Sequence, residues 1–430
     1  MACSVLGCVC GKYYFPQRFV MVLLSCLGLI IAFGQRVNLS LIITVMVKPG
    51  NKTVSHECEP ENITTTTTNT TGSGGAPLFP PMTTLMARWI PKGERATVGG
   101  VTFAANSFGI IAGSAFSGLI KIFIGTWESV FYFWGLIGII WYIFMMLYGY
   151  SEPSSHPHIL PKEKEFIEAN TVKREKKLKP AWGKVLIDPV VWGLIFGQYG
   201  HSWLIFFLAT NMPKYYKDVL KFDMKRNTMV SSLPYLLQWV ASVGSGWAGD
   251  WMIKKKGYSV AFIRKSYTTV ASVFPSLCLL AMPYCGCQST FVTILLCLSL
   301  FTMGPFYCGL KVNVIDVTIN FSGIIMALVN GLGAIAGYVS PYIVGLVAPD
   351  NTLYQWKIVM WIIFIGASVT NILYIVMGKA TRSKWDMLPE EWDEYKNKLD
   401  QEKAEKKAKA LEKKAKQQEE KSKKQAGPST

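Results

Sequence analysis

Charged residues are scarce in this 430-residue sequence, and their scarcity excludes a soluble protein. Asp, Glu, Lys and Arg make up 17% of the residues, whereas hydrophobic residues make up 50%. The shortage is sharper before the carboxyl-terminal tail, since residues 1–378 hold only 45 charged side chains. A soluble domain needs about 25% charged residues to cover its surface. The sequence therefore predicts a polytopic membrane protein whose main surroundings are the lipid bilayer.

Motifs for several kinds of chemistry are also absent. The sequence contains no P-loop and no nucleophile elbow, which argues against an ATP-driven pump and against a hydrolase. Its ten cysteines show no metal-ligand spacing, so we expect no bound metal. Because the catalytic motifs are missing as well, we expect no cofactor and no enzyme activity. The net charge of +17 does not indicate nucleic-acid binding, because most basic residues outside the tail lie in short loops where they set membrane orientation.

Nine apolar stretches are long enough to cross a bilayer as helices. They are Phe19–Val47, Gly99–Ile124, Ser129–Tyr150, Val190–Asn211, Val230–Trp251, Ile263–Met282, Phe291–Leu310, Ile324–Val347 and Ile358–Met377. A tenth stretch, Ala76–Trp89, contains three prolines. As a helix it would cover only about 21 Å of a bilayer core of about 30 Å.

The polar segment 48–75 fixes the expected orientation. It carries three acceptor sequons for N-glycosylation, at Asn51, Asn62 and Asn69. Three sequons in one loop predict a lumenal or extracellular position, which puts both chain termini in the cytosol. If the short stretch also crosses the membrane, 34 basic residues, Lys311 among them, lie inside and nine lie outside, as the positive-inside rule requires.

The charged segment 151–189 divides the chain, with six spans after it and three spans and the short stretch before it. Two six-helix bundles joined by a basic cytosolic loop are typical of the major facilitator fold. The sequence thus predicts an all-α membrane protein of that fold with an incomplete amino-terminal bundle. The predicted segments are a cytosolic amino terminus (1–18), the incomplete bundle (19–150), the central loop (151–189), a six-helix bundle (190–378) and a charged cytosolic tail (379–430).

Two basic or titratable residues lie inside predicted spans. Arg36 lies deep in the first span, where an arginine costs about 2.5–3.5 kcal/mol on insertion scales. It indicates an anion-binding role, with a structural salt bridge or a snorkelling cation as the alternatives. His201 is the one histidine inside a predicted span. It could hold an anion or relay protons, and a satisfied core histidine is an equally good interpretation.

Three more residues lie at the ends of spans. Asp250 closes the stretch Gly246–Asp250, which we interpret as a structural or gating device because its glycines allow close helix approach. Asn313 and Asp316 follow Lys311 in the run Lys-Val-Asn-Val-Ile-Asp. Ion coupling through these residues, and a salt bridge from Asp316 to Lys311 or another basic residue, both remain open.

Longer stretches resemble the anion:cation symporter family of major facilitator transporters, which includes sialin, the vesicular glutamate transporters and the sodium/phosphate cotransporters. The nearest likeness is to invertebrate proteins provisionally named inorganic phosphate cotransporters. The matching stretches are Arg36–Ser40, Ala87–Arg95, Trp127–Phe133, Ser232–Tyr235, Gly246–Asp250, Val312–Asp316 and Asn320–Gly323.

The resemblance implies a twelve-helix fold that transports a small anion, phosphate or a small carboxylate, with sodium or a proton as the coupling ion. The location it implies is a plasma, lysosomal or vesicular membrane. The family's first-helix arginine falls on Arg36. An arginine replaces His201 in vesicular glutamate transporters, which makes glutamate a less expected substrate.

Against the family pattern, helices two, three and the start of four are missing, with the join near Thr71–Ala76. The family's arginine and glutamate of helix four go with them, and Gly75 stands about where the glutamate belongs. The alternative prediction is therefore a splice or gene-model variant that inserts into the membrane but does not transport.

Overall fold

The described residues include fourteen α-helices with defined bounds, and residues 390–397 are helical as well. The structure is a computed structural model of the whole chain, and it describes residues 16–46, 78–124, 126, 128–171, 180–211, 224–285, 288–349, 352–388, 390–397, 400–401 and 404. The helices are α1 (Gln17–Met46), α2 (Phe79–Trp89), α3 (Arg95–Ile124), α4 (Glu128–Tyr148), α5 (Pro161–Asn170), α6 (Trp182–Ile187), α7 (Pro189–Thr210), α8 (Met224–Lys256), α9 (Val260–Ala281), α10 (Ser289–Met303), α11 (Leu310–Val317), α12 (Ser322–Ala334), α13 (Ala336–Val347) and α14 (Leu353–Met377). Asn51, Asn62, Asn69 and the predicted join lie outside the described residues.

Local sequence signals explain where several helices begin. Asp188 accepts a hydrogen bond from the backbone N–H of Val190 at 2.9 Å, and a proline follows it at the first position of α7. Ser259 caps α9 in the same way. Thr352 and Gln355 form a reciprocal capping box at the start of α14. Each cap satisfies backbone N–H groups that have no partner inside the helix.

Eight helical stretches in the described part of the chain are long and apolar enough to cross a membrane. They correspond to eight of the nine predicted spans. The ninth, Val230–Trp251, is helical throughout α8 but is not one of the eight, because it is richer in small and polar residues. Large apolar side chains cover the outside of the bundle. On α4, for example, Leu136, Ile140 and Leu147 are exposed. In a bilayer such a surface faces lipid.

The short stretch before Trp89 is a buried half-helix. α2 has 11 residues, so it covers about 16 Å, roughly half of the bilayer core. It begins deep in the bundle, where the ring of Phe79 lies 5.9 Å from the rings of both Phe33 and Phe103. It ends near Tyr150, whose carbonyl oxygen accepts a hydrogen bond from Nε1 of Trp89 at 3.0 Å.

We call the end of the bundle where α1, α3, α7 and α9 begin the basal face. Arg18 at the start of α1 pairs with Glu94 just before α3 at 3.2 Å, so both helices start on this face. This is the side that the sequence predicts to be cytosolic. His156, in the loop after α4, packs against Tyr150, and burial together with nearby His158 lowers the pKa of His156 below its ordinary value.

The second half contains six crossing units, and two of them are broken helices. α10 leads through a 3-10 turn, Gly304–Tyr307, into α11, and α12 continues into α13. Pro305 lies in that turn, where it cannot donate a backbone hydrogen bond to an α-helix. The crossing that was predicted to end at Leu310 therefore continues to Val317.

The first residues of the predicted tail pack onto this half. Asp386 is fully buried and accepts hydrogen bonds from the backbone N–H groups of Ile319 and Asn320 at 3.1 and 3.0 Å. Arg382 donates to the same carboxylate at 2.5 Å. The boundary predicted at 378–379 thus falls before the end of the packed structure, because a sequence shows charge but not the partner that buries it.

Candidate functional site

His201 lies inside the second half, on α7. Its side chain is 4% exposed and stacks on Phe306, with the ring centroids 3.5 Å apart and the planes nearly parallel. Nδ1 of His201 is buried and has no hydrogen-bond partner among the described residues. The histidine is therefore held by packing, and one ring nitrogen is available to a ligand. The backbone of Arg36 belongs to α1, and its side chain lies outside the described part of the structure.

Lys311 is a deeply buried basic side chain in the same half of the molecule as His201. It belongs to α11 and is 3% exposed. Its Nζ donates a hydrogen bond to Oδ1 of Asn330, lies 3.9 Å from Sδ of Met326 and lies 4.6 Å from the ring centroid of Phe79. No carboxylate of the described residues forms an ion pair with it. All three partners of the amine are neutral.

The surroundings of Lys311 come from both halves of the molecule. Phe79 belongs to α2 in the first half, whereas Asn330 on α12 and His201 on α7 belong to the second. Buried polar atoms without partners in the described structure include Nδ2 of Asn330 and Oε1 of Gln198, one turn before His201.

This arrangement suits a negatively charged ligand. A buried charge is favourable only when it is paired, and Lys311 has no paired acid. The free amide N–H of Asn330 and the ring nitrogen of His201 can add hydrogen bonds to an acceptor. The described residues contain no cluster of side chains that could hold a metal ion.

Asp316 lies at the basal end of α11 and pairs with two arginines. Its carboxylate lies 2.8 Å from Nε of Arg264 on α9 and 3.7 Å from Nη1 of Arg95 on α3. Arg264 also donates to the carbonyl oxygen of Cys308 at 2.7 Å. The salt-bridge partners of Asp316 are thus Arg264 and Arg95, and Lys311 is not one of them.

Asp250, at the end of α8, caps the first turn of α3. Its Oδ2 accepts from the backbone N–H of Thr97 at 2.8 Å and from the Thr97 hydroxyl at 2.7 Å. Since α8 and α3 belong to different halves, this carboxylate joins the halves at the basal face. Gly246 lies one turn earlier, where α8 approaches the backbone of Ala96 closely.

Asn313 faces α14 rather than the buried amine. Its Nδ2 donates to the hydroxyl of Tyr374 at 3.0 Å, and its Oδ1 is buried without a partner in the described structure. The predicted site residues therefore fall into separate places. His201 lies on α7, which packs against the helix that carries Lys311, while Asp316 lies about 7.5 Å beyond Lys311 along α11.

Lys311 was absent from the predicted substrate-binding residues. The basic-residue count places it among cytosolic loop residues, and that assignment is wrong because the crossing continues past it to Val317. The available signal is an ionisable residue between the apolar run Phe291–Leu310 and a further turn that is apolar except for Asn313. Ionisable residues inside membrane helices are usually functional.

Comparisons with known proteins identify the family. A model of the Major Facilitator Superfamily matches residues 70–341, which is more than half of the chain. The chain belongs to this superfamily. A protein of Drosophila ananassae provisionally named inorganic phosphate cotransporter is 32% identical over 327 residues, covering 74% of this chain and 68% of that protein. Human sialin is 28% identical, covering 73% of this chain and 63% of sialin.

Other matches extend the likeness. Bovine vesicular glutamate transporter 2 is 24% identical over 448 positions, covering 88% of this chain and 77% of that protein. A bacterial homologue of the iron transporter ferroportin, solved in an outward-facing state, superposes with a TM-score of 0.50 at 12% identity, covering 71% of this chain and 70% of that one. At this identity the superposition supports the fold alone.

These findings confirm the family resemblance and the all-α major facilitator fold predicted from the sequence. They also confirm that the chain is related to transporters and not to enzymes. The chain spans about three-fifths to two-thirds of the length of the first curated relatives it matches. The absence of helices two, three and part of four stays a prediction.

Proposed function

We propose that this chain is a secondary active transporter of small anions, either inorganic phosphate or small carboxylates, driven by a sodium or proton gradient. The observation that carries the proposal is Lys311, a buried basic residue with neutral partners where the two halves meet. Relatives named for phosphate and glutamate transport support the same class of substrate. The location that fits this function is a plasma, lysosomal or vesicular membrane.

In this proposal Lys311 and His201 bind the anion on the second half, and Arg36 binds it from α1. Asp250 and Asp316 act at the basal face as gating contacts between the halves. Asn313 fixes α11 against α14 through its hydrogen bond to Tyr374.

A second candidate is a transport-impaired form of the same protein, and two observations favour it. The alignment with bovine vesicular glutamate transporter 2 runs over 448 positions but takes in 88% of this chain, about 378 residues. About 70 positions of the relative therefore have no counterpart here. In addition, α2 covers only half of the bilayer core, and its Phe79 lies over the amine of Lys311.

Uptake in cells tests both candidates together. The 430-residue chain and a form with the missing segment restored are expressed, and uptake of labelled phosphate and of labelled succinate is measured with and without sodium. Surface biotinylation and glycosylation at Asn51, Asn62 and Asn69 report insertion. We expect Lys311→Met to lower the uptake about tenfold or more, because it removes a charge-assisted hydrogen bond worth about 1.5–3 kcal/mol.

Lys357→Met is the matched control, since Lys357 lies at the start of α14 over the ring of Tyr284, away from the site. Uptake by the restored form alone, with the shorter chain at the surface and silent, would identify the impaired form. If neither form takes up either anion while both reach the surface, the proposed substrate class is wrong.

A further inference from the structure

Among the described residues, the side chains that contact Lys311 provide no counter-ion for its amine. On α12 its partners are the amide of Asn330 and the thioether of Met326, and on α2 its partner is the ring of Phe79. The titratable group that faces it from α7 is His201. None of these carries negative charge.

More distant charges do not compensate the amine either. Asp316, on the same helix, is already matched by Arg264 of α9 and Arg95 of α3, and Asp250 lies near the same two arginines, so that cluster has no surplus negative charge. Arg36 of α1 is also basic. Within the described structure, an ammonium at Lys311 therefore adds positive charge to surroundings that are neutral or positive.

A buried ammonium in such surroundings is unfavourable, because it has lost its water and has gained no opposite charge. A bound anion reverses this balance. The anion favours the protonated amine, and by linkage the protonated amine favours the anion to the same extent. The proton and the anion should therefore bind together and leave together.

We propose that Lys311 takes up one proton when the anion binds and releases it when the anion leaves, so that the proton is the coupling ion. This inference rests on the proposed function. The empty site holds a neutral amine, and the loaded site holds an ammonium beside the anion. The proton on Nζ cancels one negative charge of the anion, so a monovalent anion leaves the loaded and the empty site with the same net charge.

Proton counting during anion binding tests the inference without requiring transport. The full chain is purified in detergent and titrated calorimetrically with succinate in two buffers of different ionisation enthalpy. Near neutral pH both carboxylates of succinate are ionised, so any proton taken up belongs to the protein. Inorganic phosphate is the second probe. We expect the number of protons taken up per bound anion to fall by about one in Lys311→Arg, because arginine stays protonated throughout.

His201→Gln is the matched variant at the neighbouring titratable group, and we expect it to leave the proton count unchanged. An unchanged count in Lys311→Arg, or a count that falls only in His201→Gln, would overturn the inference. If Lys311→Arg does not fold, the pH dependence of succinate binding by the wild-type chain tests the inference. Its succinate affinity must rise as the pH falls through the neutral range, and a flat profile overturns the inference.

The outcomes separate this inference from the proposed function. Anion binding without proton uptake leaves an anion transporter coupled to another ion. The absence of any binding of either probe removes the proposed function, and the inference is lost with it.

Discussion

Single residues at the basal face show how buried charges are handled in this molecule. Arg95 and Arg264 are almost fully buried, and both reach Asp316, which is largely buried as well. A buried ion pair adds little net stability, but the loss of one partner costs about 3–5 kcal/mol because the other charge stays buried and unpaired. Asp316 is thus more important for stability than its position near a helix end suggests.

We predict that Asp316→Asn lowers the apparent Tm of the purified protein by an amount that corresponds to about 3–5 kcal/mol. Glu94→Gln is the comparison, since it breaks the more exposed pair with Arg18 and should cost about 1 kcal/mol or less. Thermal unfolding in detergent, followed by tryptophan fluorescence, measures both. Equal effects of the two variants would contradict the assignment of Asp316 as the buried partner.

At this scale the sequence could reveal which residues are unusual but not which residues meet. His201 stood out because a histidine inside an apolar span is rare. Lys311 did not, because it follows an apolar run by one position and looked like a loop residue. The contacts of Asp316 depend on helix packing between residues far apart in the chain, 52 positions for Arg264 and more than 200 for Arg95, and no local pattern encodes such pairings.

Between elements, the two halves approach each other closely where α8 packs against α3. A Cβ atom at Gly246 would lie 2.8 Å from the carbonyl oxygen of Ala96 and 2.9 Å from Cα of Thr97. Gly244, on the same helix, is exposed, and a Cβ atom there would meet nothing within 4 Å. The two positions therefore have the same helix propensity, but Gly246 is packed tightly against α3 whereas Gly244 has open space around it.

We predict that Gly246→Ala destabilises the protein by about 1–3 kcal/mol, because the methyl group forces the two backbones apart. Gly244→Ala should be neutral or stabilising by up to about 1 kcal/mol, because alanine favours the helix and has room. The apparent Tm of each purified variant measures the difference. A stabilising Gly246→Ala would mean that α8 and α3 are not in close contact.

Helices of full length were predictable because a bilayer requires about 20 apolar residues in each. The length of α2 was harder to predict from the sequence, because a half-helix buried among its neighbours does not need to span the bilayer. The continuation of α10 into α11 was also missed. Its break at Gly304–Tyr307 resembles the end of a span, while the residues beyond it remain buried through contacts with α3, α7 and α12.

For the whole molecule, the second bundle extends beyond its last membrane helix. Trp385 donates from Nε1 to Asp188 at 2.6 Å, which ties the segment after α14 to the start of α7. Asp386 binds the turn between α11 and α12. The segment therefore joins three parts of the bundle at the basal face.

We predict that Asp386→Ala destabilises the protein by about 3–5 kcal/mol and lowers its apparent Tm, because it removes one of the two carboxylates that pair with Arg382 and leaves the buried N–H groups of Ile319 and Asn320 without their acceptor. Asp393→Ala changes an exposed acid seven residues later and should have almost no effect. Protease resistance of the segment after Met377 provides a second measurement. A Tm unchanged by Asp386→Ala would return this segment to the tail that the charge pattern predicts.

The two partners of Asp316 come from different halves, and this division has a mechanical consequence. Arg264 belongs to the same half as Asp316 and pairs with it at 2.8 Å, whereas Arg95 belongs to the other half and pairs at 3.7 Å. If the halves separate at the basal face, the shorter pair travels intact and only the longer one breaks, along with the two hydrogen bonds of Asp250. Asp316 therefore keeps a partner throughout the opening. The groups that lose their partners are Arg95 and the first turn of α3, and water can solvate both as soon as the halves separate.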